Sequence, residues 1–330
     1  MKFNEIICGD ALTELKKLPD ESINCIMTSP PYWALRDYGV KGQLGLEPTF
    51  ELYIKHLCDI FDEAKRVLRK DGTCWVNMGD TYGTKSGSAF ENDNLTGKSK
   101  EEVFKTTGIN KANELRGTTP FMHKMLLQIP SRFAIEMCNR GWILRNEIIW
   151  HKPNCMPSSV KDRFTVDFEK IFFFTKSKKY YFETQYEPMA ESTINDIVHQ
   201  YPTCRPNTKA TKKVELGFHG KGGIGDPNVK RGSLEDIERG RNKRCVWRIT
   251  TKPYKEAHFA TYPEALCEIP IKAGCPKDGI VLDMFFGAGT TGLVALKQNK
   301  KFIGIELNPK YIEIANKRLK PFSEQTKLGD

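Results

Sequence analysis

With 330 residues, of which 39% are apolar and 28% charged, the chain can bury a sizeable core, either as one large α/β domain with an inserted module or as two domains. Its longest apolar runs, such as Lys170-Ile171-Phe172-Phe173-Phe174-Thr175, are far too short to cross a bilayer, and ten cysteines with no C-x-x-C pair and no signal peptide read as reduced thiols of a cytoplasmic protein with no metal site. A formal net charge of +10 points to an anionic partner, most commonly nucleic acid, the alternative being a generally basic surface.

The first residues alternate strand, turn, helix and strand. Ile6-Ile7 is a short strand, Gly9-Asp10 a turn, Ala11–Leu18 a helix stopped near Pro19, and Ile23–Met27 an apolar run of strand length. The stretch Thr28-Ser29-Pro30-Pro31-Tyr32-Trp33 follows directly. Residues 52–70 place apolar side chains at helical spacing; Asp71-Gly72 is the expected stop, and Thr73–Gly79 the next strand. Such alternation predicts a mostly parallel sheet with helices on its faces.

Residues 81–119 are polar and rich in Gly, Ser, Thr, Lys and Asn, which reads as a functional lid or DNA-clasping loop or as a disordered connector. Regular structure is expected again at Ile129–Arg140 (helix), Trp142–Trp150 (strand) and Glu169–Thr175 (strand), with Tyr180-Tyr181-Phe182 starting a returning strand. From about 185 to 250 the periodicity weakens and Lys and Arg accumulate between glycines, as in an inserted module. The remainder predicts a helix at Glu264–Ala273, a strand at Ile280–Phe285, a helix at Thr290–Gln298, a strand at Lys301–Glu306 and a helix at Tyr311–Leu319.

Gly287-Ala288-Gly289-Thr290-Thr291-Gly292 matches G-x-G-x-x-G between a strand and a helix, and Glu306 ends the next strand. Glycines let the backbone turn and approach a ligand, while the acid accepts hydrogen bonds from ribose hydroxyls, so a nucleoside-containing cofactor is expected. A dinucleotide fits the same spacing, which leaves an NAD-dependent oxidoreductase as an alternative. Such a unit usually opens a domain, yet here the chain ends one helix later. The remaining strands must therefore precede it, in permuted order.

Taken together, Ser29-Pro30-Pro31-Tyr32 and Asp283-Met284-Phe285-Phe286-Gly287-Ala288-Gly289-Thr290 resemble the catalytic and cofactor motifs of the amino-group DNA methyltransferases, in the β-type motif order. Cys8-Gly9-Asp10-Ala11, Ile149–Asn154 and His258–Pro263 also resemble that family. The resemblance implies a doubly wound, mostly parallel seven-stranded sheet, circularly permuted, with residues 1–184 as the catalytic half, 185–250 as the target-recognition region and 251–330 as the cofactor-binding half. S-adenosylmethionine is the cofactor implied. Double-stranded DNA is the implied partner, in a restriction-modification system with a cognate endonuclease or as an orphan or phage methylase.

The same resemblance distributes the roles. Ser29 and the Pro30 carbonyl accept from the target amino group, Pro31 stiffens the loop without offering an N–H, and Tyr32 stacks on a base flipped out of the duplex. Glu306 holds ribose hydroxyls; Gly287 and Gly289 approach the methionine portion; Asp283 and Thr290 meet its charged groups, with Phe285 and Thr291 beside them. Asp10 lies near the adenine or ribose unless it is simply a helix N-cap, and Phe259 and Thr261 complete the pocket. Trp33, Arg205, Lys212, Lys213, Arg231, Arg241, Lys243 and Arg244 are the candidate DNA contacts, Lys and Arg mostly at phosphates, against the plainer reading of a solvated basic loop. Serine at the head of the motif favours cytosine N4 within this family, adenine N6 being the alternative. A cytosine-C5 enzyme would need a Pro-Cys motif, which does not occur.

Overall fold

The computed structural model of the chain describes residues 2–83, 123–192, 194, 238–251 and 262–325. It divides into two compact units, Met1–Glu183 with Cys245–Asp330, and Thr184–Arg244. The smaller unit overlaps the basic stretch singled out in the sequence. In it, β6 (Tyr186–Glu187) and β7 (Arg241–Asn242) form an antiparallel ribbon, and the Glu187 carboxylate takes both Arg241 and Arg244.

The larger unit is built on one sheet. Its strands are β1 (Glu5–Cys8), β2 (Ile23–Thr28), β3 (Leu68–Met78), β4 (Ile143–His151), β5 (Phe168–Thr175), β8 (Val246–Arg248), β9 (Ile280–Asp283) and β10 (Lys301–Glu306). They lie in the order β1-β10-β9-β2-β3-β5-β4-β8. Only β5 runs against its neighbours β3 and β4; every other pairing is parallel. The sheet has one strand more than expected, because Val246–Arg248 pairs along β4 instead of belonging to the insert.

Among the described residues the helices are α1 (Ala11–Leu15), α2 (Phe50–Val67), α3 (Ile129–Asn139), α4 (Glu264–Gly274), α5 (Thr290–Lys297) and α6 (Pro309–Gln325), and none is long and apolar enough to cross a membrane. Helix α2 forms because Phe50, Tyr53, Ile54, Leu57, Phe61, Ala64 and Val67 recur on one face, all buried, and Thr49 caps its start by accepting from the Leu52 amide at 3.2 Å. It ends at Val67, three residues short of the expected Lys70. Leu68 is already extended and pairs with Ile23, and Lys176 closes the helix end by donating to the Lys65 and Leu68 carbonyls.

Tyr180-Tyr181-Phe182 forms no strand: single backbone bonds from Tyr181 to Asp71 and from Glu183 to Ala273 hold this stretch. On one face of the sheet Phe133 of α3 meets Phe61, Phe172 and Phe174. On the other, Trp75 stacks on Phe173 with ring centroids 3.9 Å apart. Phe286 packs flat on Phe302 at 5.4 Å, and only glycine fits opposite it, since a Cβ on Gly304 would lie 2.5 Å from its ring.

The central pair β9 and β2 sends its connections in opposite directions, β9 through α5 to β10 and β2 through α2 to β3. A crevice opens at their carboxyl ends, as expected where the strand order reverses. The two ends are tied together by Asp283. Its Oδ1 accepts from Thr28 Oγ1 at 2.6 Å and from the Phe285 amide at 3.1 Å; its Oδ2 accepts from Thr291 Oγ1 at 2.7 Å and from the Tyr262 hydroxyl at 3.0 Å. The carboxylate is wholly buried, and burial raises its pKa while these donors oppose the rise.

Two stability measurements follow. Phe133→Ala should cost about 3–5 kcal/mol in chemical denaturation, whereas Ile135→Ala on the same helix, 62% exposed, should stay within about 0.5 kcal/mol. Thr28→Val keeps the shape but removes one donor from a buried carboxylate, and a loss of about 1–3 kcal/mol is expected; an unchanged denaturation midpoint would show that the Thr28–Asp283 bond ties nothing together.

Candidate active site

The crevice is a cavity of about 940 Å3 that both motif loops line. On one side stand Asp10, Phe285, Gly287, Thr290, Glu306 and Asn308; on the other, Ser29, Pro30, Pro31, Tyr32, Asn77, Lys152 and Glu169. Residues from opposite ends of the chain thus share one space.

On the glycine side, Gly287 has φ +51°, the left-handed region, and its amide donates to Glu306 Oε2 at 2.8 Å. The Asn308 amide donates to Glu306 Oε1, also at 2.8 Å. Burial pushes the Glu306 carboxyl above its ordinary pKa, against the pull of these two amides. Asp10 lines the cavity and also caps α1, accepting from the Thr13 amide and hydroxyl at 2.9 Å, so the helix-cap reading holds. Thr290 lines the cavity as well, its Oγ1 accepting from Arg318 at 2.8 Å.

Three of the expected cofactor contacts are placed differently. Asp283 and Thr291 are fully buried, bonded to one another, and do not line the cavity. Gly289 opens α5 with φ +77°, and a Cβ there would come within 3.1 Å of Ala315. Its lack of a side chain lets the start of α5 pack against Ala315. Phe259 and Thr261 lie outside the described residues, as do residues 84–119 of the polar stretch.

On the proline side, β2 ends at Thr28 and the chain turns at once into Ser29-Pro30-Pro31-Tyr32. The Tyr53 hydroxyl of α2 donates to the Pro31 carbonyl at 2.8 Å and fixes the turn. Tyr32 lies against the end of β3, where a Cβ on Gly79 would fall 2.7 Å from its ring; glycine is what admits the ring. Trp33 is corrected from a DNA contact to a core residue. It is 1% exposed, donates to the Glu47 carbonyl at 2.9 Å and meets Phe50 edge-on.

Three site residues escaped the sequence reading as functional candidates. Glu169 Oε2 accepts from the Tyr32 hydroxyl at 2.8 Å and from Asn77 Nδ2 at 3.0 Å, and its Oε1 pairs with Lys152. Lys152 also lies over the Trp150 ring at 4.4 Å. Asn77 Nδ2 donates in addition to the Lys170 carbonyl at 3.3 Å, so Asn77 Oδ1 is turned toward Ser29, whose Oγ donates to it at 3.4 Å. Burial, with the Glu169 charge next, holds the Tyr32 phenol well above its ordinary pKa, so its proton stays available for Glu169. Two signals were in the sequence: Lys152 lies in the family-like stretch Ile149–Asn154, and Asn77 is a polar side chain inside the apolar strand Cys74-Trp75-Val76-Asn77-Met78, which needs partners once buried.

Of the expected DNA contacts, Arg205, Lys212, Lys213 and Arg231 lie outside the described residues. Arg241 and Arg244 are engaged by Glu187, and the Lys243 amide donates to the Gln185 carbonyl.

Comparison with known proteins agrees with this geometry. The DNA methylase family N6_N4_Mtase matches residues 23–317. The type II methyltransferase M.Cfr9I of Citrobacter freundii is 39% identical over 315 residues, covering 94% of this chain and 86% of that enzyme. M.SmaI of Serratia marcescens is 37% identical over 317 residues, covering 96% and 90%. Among solved structures, the PvuII DNA methyltransferase (cytosine-N4-specific) shares the fold with a TM-score of 0.58 at 19% identity, covering 96% of this chain and 86% of that one. Matched from Ile23 into α6, and with such relatives along nearly its whole length, the chain belongs to the N6_N4_Mtase family of DNA methylases.

Proposed function

We propose that this DNA methyltransferase modifies the exocyclic N4 of a cytosine in double-stranded DNA, with S-adenosylmethionine as the methyl donor, as the modification enzyme of a type II system with a cognate endonuclease. One observation carries the reading: the Ser29 hydroxyl heads the Pro-Pro-Tyr turn, is directed at Asn77, and faces the same cavity as the glycine loop. The oxidoreductase alternative leaves this arrangement without a use.

The residues present suit S-adenosylmethionine. The Gly287 backbone borders a cavity that ends in a half-buried carboxylate, a donor and acceptor set for a ligand with an amino acid portion and a ribose. Glu306 would accept from the ribose hydroxyls; the Gly287 backbone would border the methionine portion, with Phe285 and Asp10 beside the nucleoside. When bound, this cofactor supplies a methyl group already activated by a sulfonium. A Thermus thermophilus protein of the same fold, TM-score 0.55, was solved with it.

The chain's own task is to improve a poor nucleophile. An exocyclic amino nitrogen has its lone pair delocalised into the ring, and two acceptors aimed at its hydrogens draw it toward tetrahedral geometry. Ser29 serves as one of them: its Oγ lies 3.4 Å from Asn77 Oδ1, an acceptor able to take its proton and leave its lone pairs for the base. The Pro30 carbonyl is the other. Pro31 offers no competing N–H, and its own carbonyl is held by Tyr53. The Tyr32 ring, anchored through its hydroxyl to Glu169, stacks on the extruded base. Glu169 and Lys152 touch no reacting atom; they position Tyr32 and Asn77. Holding base and donor in one cavity supplies the orientation that accelerates direct transfer. Serine at the motif head supports cytosine over adenine, as does the cytosine-N4 specificity of the PvuII enzyme of the same fold.

Mass spectrometry of nucleosides from unmethylated DNA incubated with the protein and S-adenosylmethionine tests the proposal. N4-methylcytosine is expected; N6-methyladenine would overturn the choice of base, and no methylated nucleoside would overturn the activity. Ser29→Ala should lower kcat by about 10²–10³-fold with unchanged S-adenosylmethionine affinity in calorimetry, whereas Glu306→Ala should weaken that affinity by about 10–100-fold. Glu169→Gln should lower kcat by roughly tenfold with little change in KM, because it disturbs the orientation of Tyr32 and Asn77 and no binding contact; a rise in KM alone would contradict that role.

A further inference from the structure

The connection between β4 and β5, residues 152–167, is anchored at the catalytic end of the cavity. Lys152 and Asn154 line it. Lys152 donates its amide to the Asp167 carbonyl at 2.7 Å and its ammonium to Glu169, while Asn154 exchanges hydrogen bonds with Thr251, donating at 3.0 Å and accepting at 2.9 Å. Farther out the loop is braced again, by Asp162 paired with Lys124 at 2.5 Å and by the Arg163 guanidinium stacked 3.4 Å from the Tyr82 ring centroid. Tyr82 lies five residues after Asn77 on the chain leaving β3.

This braced loop carries apolar side chains on its outside. Phe164 is 97% exposed and Met156 88%, and Val160, Val166 and Phe168 are exposed as well. Five of the twelve large apolar side chains exposed among the described residues fall between 156 and 168, a concentration that marks an interaction surface. The surrounding charges indicate the partner. Asp162 is paired with Lys124 and Glu169 with Lys152, and Asp167 lies 3.4 Å from the His151 ring. Lys161 and Arg163, on either side of Asp162 next to Phe164, have no ion pair among the described residues. An aromatic tip beside cations, on a loop whose first residues line the cavity, fits a nucleic acid duplex: the cations meet phosphates and the ring meets the stack.

We propose that Phe164 is a wedge that enters double-stranded DNA and fills the gap in the stack left by the flipped target base, with Lys161 and Arg163 holding the adjacent phosphates. The proposal rests on the DNA-methylating reading above and adds the device that keeps the base out of the helix. A flipped base leaves its neighbours unstacked, and an aromatic ring restores stacking to them. Bracing by Tyr82 and Lys124 keeps the ring outside and ready instead of folded back onto the protein.

The test compares the wild type, Phe164→Ala and Phe164→Trp on two duplexes carrying the site that the wild type methylates. In one the target cytosine is paired with guanine; in the other it stands opposite an abasic position and needs no extraction from a pair. A second series places pyrrolocytosine at the target and reads the fluorescence rise on unstacking. Phe164→Ala should methylate the paired duplex about tenfold more slowly and lose most of the fluorescence rise. It should recover most of the wild-type rate on the abasic duplex, and Phe164→Trp should retain both signals. S-adenosylmethionine affinity should not move. Equal rates and fluorescence for wild type and Phe164→Ala would overturn the wedge, as would an equal loss on both duplexes, which would mean a simple DNA contact. A dimeric wild type made monomeric by Phe164→Ala in analytical ultracentrifugation would assign the patch to a second copy of the chain instead. If the wild type methylated no DNA, the methylation reading itself would fall and the wedge with it.

Discussion

Four hydrogen bonds from two hydroxyl-bearing threonines, one tyrosine and one backbone amide converge on the carboxylate of Asp283, which has no access to solvent. A buried carboxylate is tolerated only when so satisfied, and the requirement fixes the relative positions of everything that bonds to it. Thr28 is the last residue of β2 and the immediate neighbour of Ser29. Phe285 and Thr291 bracket the glycine loop. One side chain therefore sets the distance between two loops that are more than 250 positions apart in sequence, and the cavity is the space it leaves between them.

Packing reinforces this geometry from both sides. Phe286 wedges under the glycine loop against Phe302, where Gly304 and Gly292 give it room, so the loop is seated on a hard surface. Across the cavity Gly79 admits the Tyr32 ring, and Tyr53, Asn77, Glu169 and Lys152 hold the turn from below. Both halves are held by contacts within the chain itself, which is what proximity catalysis requires. Family membership supplies the DNA-methylating activity; the polar cluster around Asn77 supplies a physical basis for the acceptor role proposed for Ser29.

Much of this was legible in the sequence wherever the signal was local. Apolar spacing located α2 and α3, and the expected bounds of β10, Lys301–Glu306, are those observed. The permuted order expected from the glycine loop is borne out by the parallel pairing of β9 with β2 in mid-sheet. What was not legible depended on partners distant in sequence. Asp283 and Thr291 sit in the cofactor motif yet face Thr28 and Tyr262; Trp33 adjoins the catalytic turn yet points into the core; Leu68 leaves the helix because Ile23 offers it a strand edge. Asn77 and Glu169 come together only because β3 and β5 run antiparallel, a register that neither segment reveals alone.

The account's central claim is that the proline turn and the glycine loop form a single site. Amide hydrogen exchange followed by mass spectrometry, with and without S-adenosylmethionine and in the absence of DNA, tests it most directly. Protection should rise over Phe285–Thr291 and around Glu306, and also over the peptide spanning Ser29–Tyr38, whose residues border the same cavity. Protection confined to the glycine loop and Glu306, with Ser29–Tyr38 exchanging at its unliganded rate, would contradict the claim.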